Sequence, residues 1–289
     1  MGSNTIVEPT MKTVLITGCS SGGIGYALAE AFADVGYHVF ATARDLSKAK
    51  DLTKHSSGNI QLLQLDVSSS ESIKACVTAV DSATEGRGLD VLVNNAGGVH
   101  TMPLLDVDLD KARQTYEVNV WGVLALAQGF AGLLIKTGGV LMNIASIAAG
   151  VVMPWGGIYN SSKAAVANLS ETLRLEMAPL GVRVITAMVG VVGTKIFLNT
   201  GNFALPPGSR YKSVEEQIAK QARGEDLFGH MDIDTVAKRL VSDVVAGRSG
   251  KVWRGGLATA TGYLSWLMPT WASDWMGNSR SGLYNLKKP

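Results

Sequence analysis

The sequence predicts an α/β fold in which helices cover both faces of one doubly wound parallel sheet. Short apolar runs rich in branched residues recur along the chain, and helical patterns separate them. Strands that alternate with helices in this way favour repeated β-α-β units. The runs are continuously apolar rather than alternating, which is typical of parallel strands covered on both faces.

The apolar runs predict seven strands, at residues 13–17, 38–43, 60–65, 91–94, 139–144, 182–188 and 251–253. The patterns between them predict helices at 24–35, about 47–55, 69–85, 109–136, 158–179 and 233–245. Right-handed crossovers would place these helices on both faces of the sheet. No repeat, low-complexity tract or proline-rich linker divides the chain, so we expect a single domain over residues 1–289.

Composition excludes several classes of protein. Of the 289 residues, 46% are hydrophobic and only 17% are charged, whereas about 25% is ordinary. With 26 basic against 24 acidic side chains and no basic run, we expect no nucleic-acid partner. Cys19 and Cys76 are too few for a disulfide framework and lack metal-ligand spacing, which indicates a reducing compartment and no metal site.

Low charge also raises the question of a membrane, because residues 118–135, 137–162 and 255–273 carry no charged side chain. A spanning helix needs ~20 predominantly apolar residues. However, helices that are apolar all round also occur at the centre of large soluble domains and in subunit interfaces. Residues 1–10 lack the basic flank and apolar core of a signal peptide. We therefore expect a cytoplasmic protein without a spanning segment.

A glycine-rich turn at residues 17–25 joins the first predicted strand to the first helix. Glycines allow a tight turn and a close approach to a pyrophosphate, and the start of a helix supplies amide donors and a favourable dipole. An ordinary connection can also contain glycines, but a strand before and a helix after is the context that a dinucleotide site requires. Cofactor contacts are predicted for Gly18, Ser20, Ser21, Gly23, Ile24 and Gly25.

Arg44, at the end of the second strand, bears on which dinucleotide is bound. A carboxylate about 20 residues after the turn would bind the ribose hydroxyls of NAD, whereas an arginine accommodates the 2′-phosphate of NADP. Arg44 therefore favours NADPH. The alternative is a solvated arginine at a strand end, because Asp45 follows directly and could partly neutralise it.

Three residues around the fifth strand could carry acid-base chemistry. Tyr159 and Lys163 are four apart, so they share one face of a helix. An ammonium beside a phenol favours the phenolate, so Lys163 is expected to lower the pKa of Tyr159 from about 10. Ser146 follows the fifth strand, where open parallel sheets deliver catalytic residues, and could hydrogen-bond a substrate oxygen. Each of these features alone also occurs by chance. Only their joint order along the chain distinguishes a catalytic site from coincidence.

With these motifs in this order, the chain resembles the short-chain dehydrogenase/reductase family from about residue 12 to residue 194. The turn looks like the family's glycine-rich cofactor turn, and residues 94–97, Asn-Asn-Ala-Gly, match its strand end. Asp66 and Val67 stand where the family contacts adenine. The resemblance implies a Rossmann-type sheet and hydride transfer between NAD(P)(H) and a carbonyl or alcohol.

The same resemblance implies roles for individual residues. Tyr159 would be the general acid-base, Lys163 would lower its pKa and hold the nicotinamide ribose, and Ser146 would orient the substrate oxygen. Asn119 would support a proton-relay water. Family members pack through their long helices as homodimers or homotetramers, and we expect the same here. Further cofactor contacts are implied for Asn95, Ala96, Gly97 and Val192, and for Thr194 at the nicotinamide amide.

Two departures from the family pattern leave the reacting groups in place. The turn carries one extra residue, since four residues separate Gly18 from Gly23, and Val189-Gly190 stands where Pro-Gly is usual. The longer turn and the Ala-Thr-Ala-Arg strand end resemble the NADPH-dependent 1-acyldihydroxyacetone-phosphate reductase branch, which includes lipid-metabolic and fungal secondary-metabolite reductases. Residues 12–190 would then be the cofactor-binding and catalytic core.

Substrate specificity is expected in the loop segment 191–230, because loops above a rigid sheet carry variable chemistry. Arg210 and Lys212 could pair with a phosphate there. The apolar side chains that suit a ligand, or alternatively pack as a lid, are Ile196, Phe197, Leu198, Phe203 and Leu205. The pocket wall before Tyr159 is predicted to comprise Val151, Met153, Pro154 and Trp155.

The tail at residues 255–289 is rich in aromatic residues, including Trp266, Trp271 and Trp275. Pro269 breaks any long helix, but a short amphipathic piece could lie at a membrane interface. Basic residues that would then face anionic lipid are Arg280, Lys287 and Lys288. We expect instead that the tail folds over the substrate pocket or against a neighbouring subunit, since aromatic clusters also build interfaces.

The predicted function is NADPH-dependent reduction of a ketone to a secondary alcohol, or the reverse oxidation, on a bulky apolar substrate such as a lipid, terpenoid, steroid or polyketide. One alternative is the reduction of 1-acyldihydroxyacetone phosphate in lipid synthesis. Another is a non-catalytic NADP-binding scaffold or sensor, against which the intact set of Asn119, Ser146, Tyr159 and Lys163 argues.

Overall fold

The computed structural model describes residues 7–8, 10–197, 203–279 and 281–286, without the side chains of residues 264–266 and 276. The predictions made above for the side chains of Leu198, Trp266, Arg280, Lys287 and Lys288 fall outside this described part.

All the predicted strands form, and they pair in parallel throughout. They are β1 (Thr13–Ile16), β2 (His38–Ala43), β3 (Ile60–Gln64), β4 (Val91–Asn94), β5 (Val140–Ser146), β6 (Arg183–Val189) and β7 (Gly250–Arg254). They make a 7-stranded sheet in the order β3-β2-β1-β4-β5-β6-β7. The order reverses direction between β1 and β4, and ligands of open α/β sheets bind at such a point.

Helices lie on both faces of this sheet, as predicted. They are α1 (Ile24–Asp34), α2 (Ser70–Ala83), α3 (Leu109–Tyr116), α4 (Gly122–Thr137), α5 (Gly157–Met177), α6 (Glu215–Ala222), α7 (Ile233–Val245), α8 (Ala258–Leu267) and α9 (Thr270–Asn278). On one face, Phe32 of α1 and Leu240 of α7 pack in a common core with β2 and β6. On the other, Ile73 of α2 and Phe130 of α4 pack with β1 and β4.

The single helix predicted at residues 109–136 is wrong in one respect. A π-helical turn, Glu117–Trp121, separates α3 from α4 and contains Asn119. Single π-helical turns are rare and frequent at functional sites. The turn forms because the Asn119 amide bonds the Gly98 main chain, a tertiary contact that no local pattern indicates.

Two other local predictions are modified. The helix expected at 47–55 is a 3-10 helix, Leu46–Lys54, which begins where the Asp45 carboxylate accepts a hydrogen bond from the Ser47 amide. The segment 191–230 contains α6, which the sequence did not indicate, and Ile218 on this helix is fully buried.

The helical run Leu109–Thr137 is the one segment of the described residues with the length and composition of a membrane span. Half of its apolar window is buried against the rest of the protein. This burial is what a core helix of a large domain requires.

Candidate active site

The predicted site residues converge at the carboxyl ends of β1, β4 and β5. The glycine-rich turn follows β1, Asn95 and Ala96 follow β4, and Ser146 is the last residue of β5. These strands are neighbours in the sheet, so the residues that follow them meet at one edge. At this edge, the boundary between the two halves of the sheet lies between β1 and β4.

The glycine-rich turn holds two backbone segments so close that side chains would not fit. Gly18 has a φ of 75°, and a Cβ on it would lie 2.9 Å from Ala96 Cα. A Cβ on Gly25 would lie 2.5 Å from both Asn95 Nδ2 and the Gly18 carbonyl. Gly23 caps α1 without a side-chain hydrogen bond, which leaves the first helical amides open to an anion. The turn therefore fits a pyrophosphate.

Thr17 ties this turn to the end of β4, and the sequence analysis did not single it out. Its hydroxyl accepts hydrogen bonds of 2.9 Å from the amides of both Asn95 and Ala96. Asn95 Nδ2 in turn donates to the Thr17 carbonyl over 2.8 Å. A threonine directly before the first glycine was the available signal for this contact. Its partners could not be predicted, because Asn95 and Ala96 are distant from Thr17 along the sequence.

Arg44 and Asp66 stand at the ends of the neighbouring strands β2 and β3. Arg44 is exposed, and the Asp66 carboxylate accepts hydrogen bonds from the Ser68 hydroxyl and amide at 2.6 and 3.0 Å. These bonds, and secondarily the charge of Arg44, hold the pKa of Asp66 below its usual value. Asp45 bonds Ser47 within its own turn, so its carboxylate already has hydrogen-bond partners other than Arg44. Val67 beside Asp66 is buried.

Asn119 is buried, and hydrogen bonds fix its amide on both sides. Its Oδ1 accepts from the Gly98 amide at 2.9 Å, and its Nδ2 donates to the Gly98 carbonyl at 3.0 Å. The same Nδ2 lies 3.0 Å from the hydroxyl of Ser162. Ser162 donates to the Tyr159 carbonyl over 2.7 Å, so Asn119 is joined to the helix that carries Tyr159 and Lys163. A buried serine between those two residues was a signal that the sequence analysis missed.

Ser146, Tyr159 and Lys163 lie together as their spacing predicted. The hydroxyls of Ser146 and Tyr159 are hydrogen-bonded. Lys163 is buried on the same helical face, and its Nζ donates to the Ile144 carbonyl at 2.8 Å. That Nζ stands 5.9 Å from the centre of the Tyr159 ring. Burial lowers the pKa of Lys163 from 10.5 to about 8.

The prediction that Lys163 lowers the pKa of Tyr159 is wrong for the protein without its cofactor. Burial raises the pKa of Tyr159 above 10.0, and the hydrogen bond from Ser146 offsets this only in part. Lys163 has little influence because its ammonium points to the Ile144 carbonyl rather than to the phenol oxygen. Tyr159 is therefore a neutral phenol at neutral pH, the protonation state of a proton donor.

The segment after β6 crosses above the glycine-rich turn. Val192 is buried and bridges to Met231, while Thr194 is half-buried. The Lys195 amide then donates to the Gly22 carbonyl at 3.1 Å. The predicted cofactor contacts Val192 and Thr194 are thus brought to the same edge of the sheet as the turn.

Trp155 anchors the wall that precedes Tyr159. It has a φ of 66°, unusual for a bulky side chain, and such strain concentrates at functional sites. Its indole donates to the Ser281 carbonyl at 3.0 Å, and its ring meets Tyr211 edge-on at 5.2 Å. Of the predicted ligand contacts, Leu205 is buried against Trp155 and Phe203 packs beside it, which is the lid arrangement.

The tail reaches the same wall. A Cβ on Gly277 of α9 would lie 2.9 Å from the Val152 carbonyl. Together with the bond from Trp155 to Ser281, this packs the end of the tail against the segment before Tyr159. Lys212 of the loop segment pairs with Glu215 at 2.5 Å, so its charge is balanced within the loop.

Known proteins are similar to this chain in both sequence and fold. A family model described as short chain dehydrogenase matches residues 12–202. A short-chain dehydrogenase of Penicillium ochrochloron is 45% identical over 272 residues, which cover 94% of this chain and 98% of that protein. An NADPH-dependent 1-acyldihydroxyacetone phosphate reductase of Schizosaccharomyces pombe is 36% identical over 262 residues, covering 88% and 86%. A short-chain dehydrogenase structure from Streptomyces avermitilis has a TM-score of 0.77 at 26% identity, covering 95% and 99%.

Proposed function

Because the chain belongs to the short-chain dehydrogenase family, we propose that it reduces a bulky apolar ketone to a secondary alcohol with NADPH, or catalyses the reverse oxidation. The observation that carries this proposal is the meeting of Ser146, Tyr159, Lys163 and Asn119 beside a glycine-rich turn that fits a pyrophosphate. A non-catalytic scaffold would have no need of this joint arrangement.

The nicotinamide cofactor, when bound, supplies the hydride. The chain holds it through the open amides of the turn, through Arg44 at the 2′-phosphate and through Asp66 and Val67 at the adenine. The remaining contacts proposed are Gly18, Ser20, Ser21, Gly23, Ile24, Gly25, Asn95, Ala96, Gly97, Tyr159, Lys163, Val192 and Thr194.

Tyr159 donates its phenolic proton to the carbonyl oxygen of the ketone. Ser146, already hydrogen-bonded to that phenol, orients the same oxygen. The Lys163 ammonium, buried on the same helical face as Tyr159, holds the nicotinamide ribose. Asn119 keeps the π-helical turn in place and supports a water that returns the proton to the site.

An apolar substrate fits the surroundings of Tyr159 better than a charged one. Trp155, in the segment before Tyr159, packs with Leu205 and Phe203 of the loop segment in one apolar cluster. Reduction of 1-acyldihydroxyacetone phosphate is the second candidate, favoured because the S. pombe relative is an NADPH-dependent 1-acyldihydroxyacetone phosphate reductase. That substrate needs a cation for its phosphate. Lys212 is already paired with Glu215, which leaves exposed Arg210 as a cation of the loop segment that could bind it.

The test is loss of NADPH absorbance with a panel of lipophilic ketones that includes 1-acyldihydroxyacetone phosphate. We expect turnover with at least one apolar ketone and little with the phosphate ester. Faster turnover of the phosphate ester would favour the second candidate. Tight NADPH binding without any turnover would favour the scaffold.

Replacing Arg44 by alanine is expected to weaken NADPH binding by about tenfold or more, because a charge-assisted hydrogen bond to phosphate contributes ~1.5–3 kcal/mol. NADH lacks the 2′-phosphate, so its affinity should change little. Titration of intrinsic fluorescence with each cofactor measures both constants. Equal weakening of the two would contradict the role of Arg44.

We also propose that the protein is a cytoplasmic homodimer or homotetramer that uses the long helices as its interface. Exposed apolar side chains on these helices, Leu109, Trp121 and Leu175, support this arrangement, because water disfavours large apolar patches on a free surface.

Contact of the tail with a lipid surface is a further proposal, supported by exposed aromatic residues on α8 and α9. Trp271 and Trp275 lie one turn apart on α9 and are 74% and 67% exposed. We expect that replacing both by serine lowers co-sedimentation with anionic liposomes several-fold, since Trp favours the interface. Leu105→Ser is the control, because Leu105 is also a large exposed apolar side chain (76%) but lies outside the tail. Equal sedimentation of all three proteins would count against the tail.

A further inference from the structure

The proposed pyrophosphate cradle has no cationic side chain of its own. Between Thr17 and Asp34 the sequence contains no lysine or arginine, and the first turn of α1 carries no charged side chain. Open amides and the helix dipole would then face a doubly charged pyrophosphate alone. A lysine that approaches from another part of the chain would supply the missing charge.

Lys195 approaches the cradle in this way. Its amide donates to the Gly22 carbonyl at 3.1 Å, which fixes its main chain beside the turn. The Cγ, Cδ and Cε of its side chain lie 3.0, 2.7 and 3.0 Å from the point that a Cβ on Gly22 would occupy. Gly22 has a φ of 77° and no side chain, so the lysine stem covers the turn directly.

The charge of Lys195 is available, unlike that of Arg223, which lines the same cleft. Arg223 pairs with Glu225 at 2.6 Å. Within the described ranges, no carboxylate lies at salt-bridge distance from Lys195. Its side chain is exposed beside the turn, so its ammonium is open to an anion that binds there.

We propose that Lys195 binds the pyrophosphate of the dinucleotide and closes the segment after β6 over it. The adjacent Thr194 belongs to the proposed nicotinamide contacts, so Lys195 falls between that end of the cofactor and the turn. This inference rests on the proposed cofactor site, but not on the choice of NADPH over NADH, because both carry the same pyrophosphate.

The experiment compares dinucleotide binding to Lys195→Met, Lys195→Arg and wild type by fluorescence titration. Lys195→Met should raise the Kd of NADPH and of NADH by about tenfold each, as expected for loss of one charge-assisted contact. Lys195→Arg should stay within about threefold of wild type, because arginine keeps the charge. Lys238→Met, an exposed lysine on α7, is the control and should have no effect.

Truncated ligands locate the contact. The Lys195→Met change should weaken 2′-phospho-ADP-ribose, which has the pyrophosphate, but leave adenosine 2′,5′-bisphosphate within about twofold. Unchanged affinity for every ligand, or equal weakening of the bisphosphate, would overturn the proposal. Wild type that binds NADH as well as NADPH would refute the proposed NADPH preference instead, and the Lys195 effect would still be measured on NADH.

Discussion

Replacing Tyr159 by phenylalanine is expected to lower kcat for ketone reduction by about 10²–10⁴-fold, the range associated with loss of a positioned general acid. Tyr159 is the neutral phenol of the site, since burial raises its pKa, and it shares a hydrogen bond with Ser146. Phenylalanine keeps the ring and removes only the transferable proton. Steady-state rates of NADPH oxidation measure the loss.

Two controls separate chemistry from binding in this experiment. NADPH affinity should stay within about tenfold, because the change removes at most one neutral hydrogen bond of ~0.5–1.5 kcal/mol from a large contact. Tyr116→Phe is the matched variant: the Tyr116 hydroxyl bonds Ser161 at 2.9 Å on the outer side of α5, away from Ser146. A Tyr159→Phe enzyme that keeps more than a tenth of the wild-type rate would refute the assigned acid.

Replacing Lys163 by methionine is expected to abolish measurable turnover and yet to stabilise the cofactor-free protein at pH 7 by about 1–3 kcal/mol. Burial lowers the pKa of Lys163 from 10.5 to about 8, so its charge disfavours the folded state. Loss of the bond to the Ile144 carbonyl, ~1 kcal/mol, is the smaller effect. Urea unfolding at fixed pH measures the difference.

The pH dependence of this stabilisation follows from the direction of the pKa shift. The unfolded lysine keeps its proton up to 10.5, whereas the folded one loses it near 8, so between these values the unfolded state binds more protons. The wild-type free energy of unfolding therefore gains a contribution that rises with pH over this window. The advantage of Lys163→Met should be full below pH 8 and small at pH 10.

Lys238→Met is the control for charge removal as such, because Lys238 is exposed on α7 and should leave stability unchanged. A Lys163→Met protein that is less stable than wild type at pH 7 would show that the ammonium is better solvated than its burial indicates.

The sequence predicted those features that depend on neighbouring residues. The strands are continuous apolar runs, and the glycine-rich turn lies between a strand and a helix. Both features can therefore be predicted from short stretches of sequence. The four-residue spacing of Tyr159 and Lys163 places them on one helical face in any context. The order of Asn119, Ser146 and Tyr159 along the chain carried the resemblance to the family.

Features that depend on contacts between distant segments could not be predicted. The π-helical turn at Asn119 requires the Gly98 main chain, and the raised pKa of Tyr159 requires burial that only the folded chain provides. Lys195 contacts Gly22 although nearly the whole cofactor-binding core separates the two residues along the sequence. The positive φ of Trp155 is held by Ser281 near the other end of the chain.

Product formation tests the account most directly. Wild type and Tyr159→Phe are each incubated with NADPH and an apolar ketone, and the secondary alcohol is quantified by mass spectrometry against the NADPH consumed. The proposed chemistry predicts one alcohol per NADPH for wild type and at most about one hundredth of that rate for Tyr159→Phe. Alcohol formed at equal rates by both proteins would contradict it.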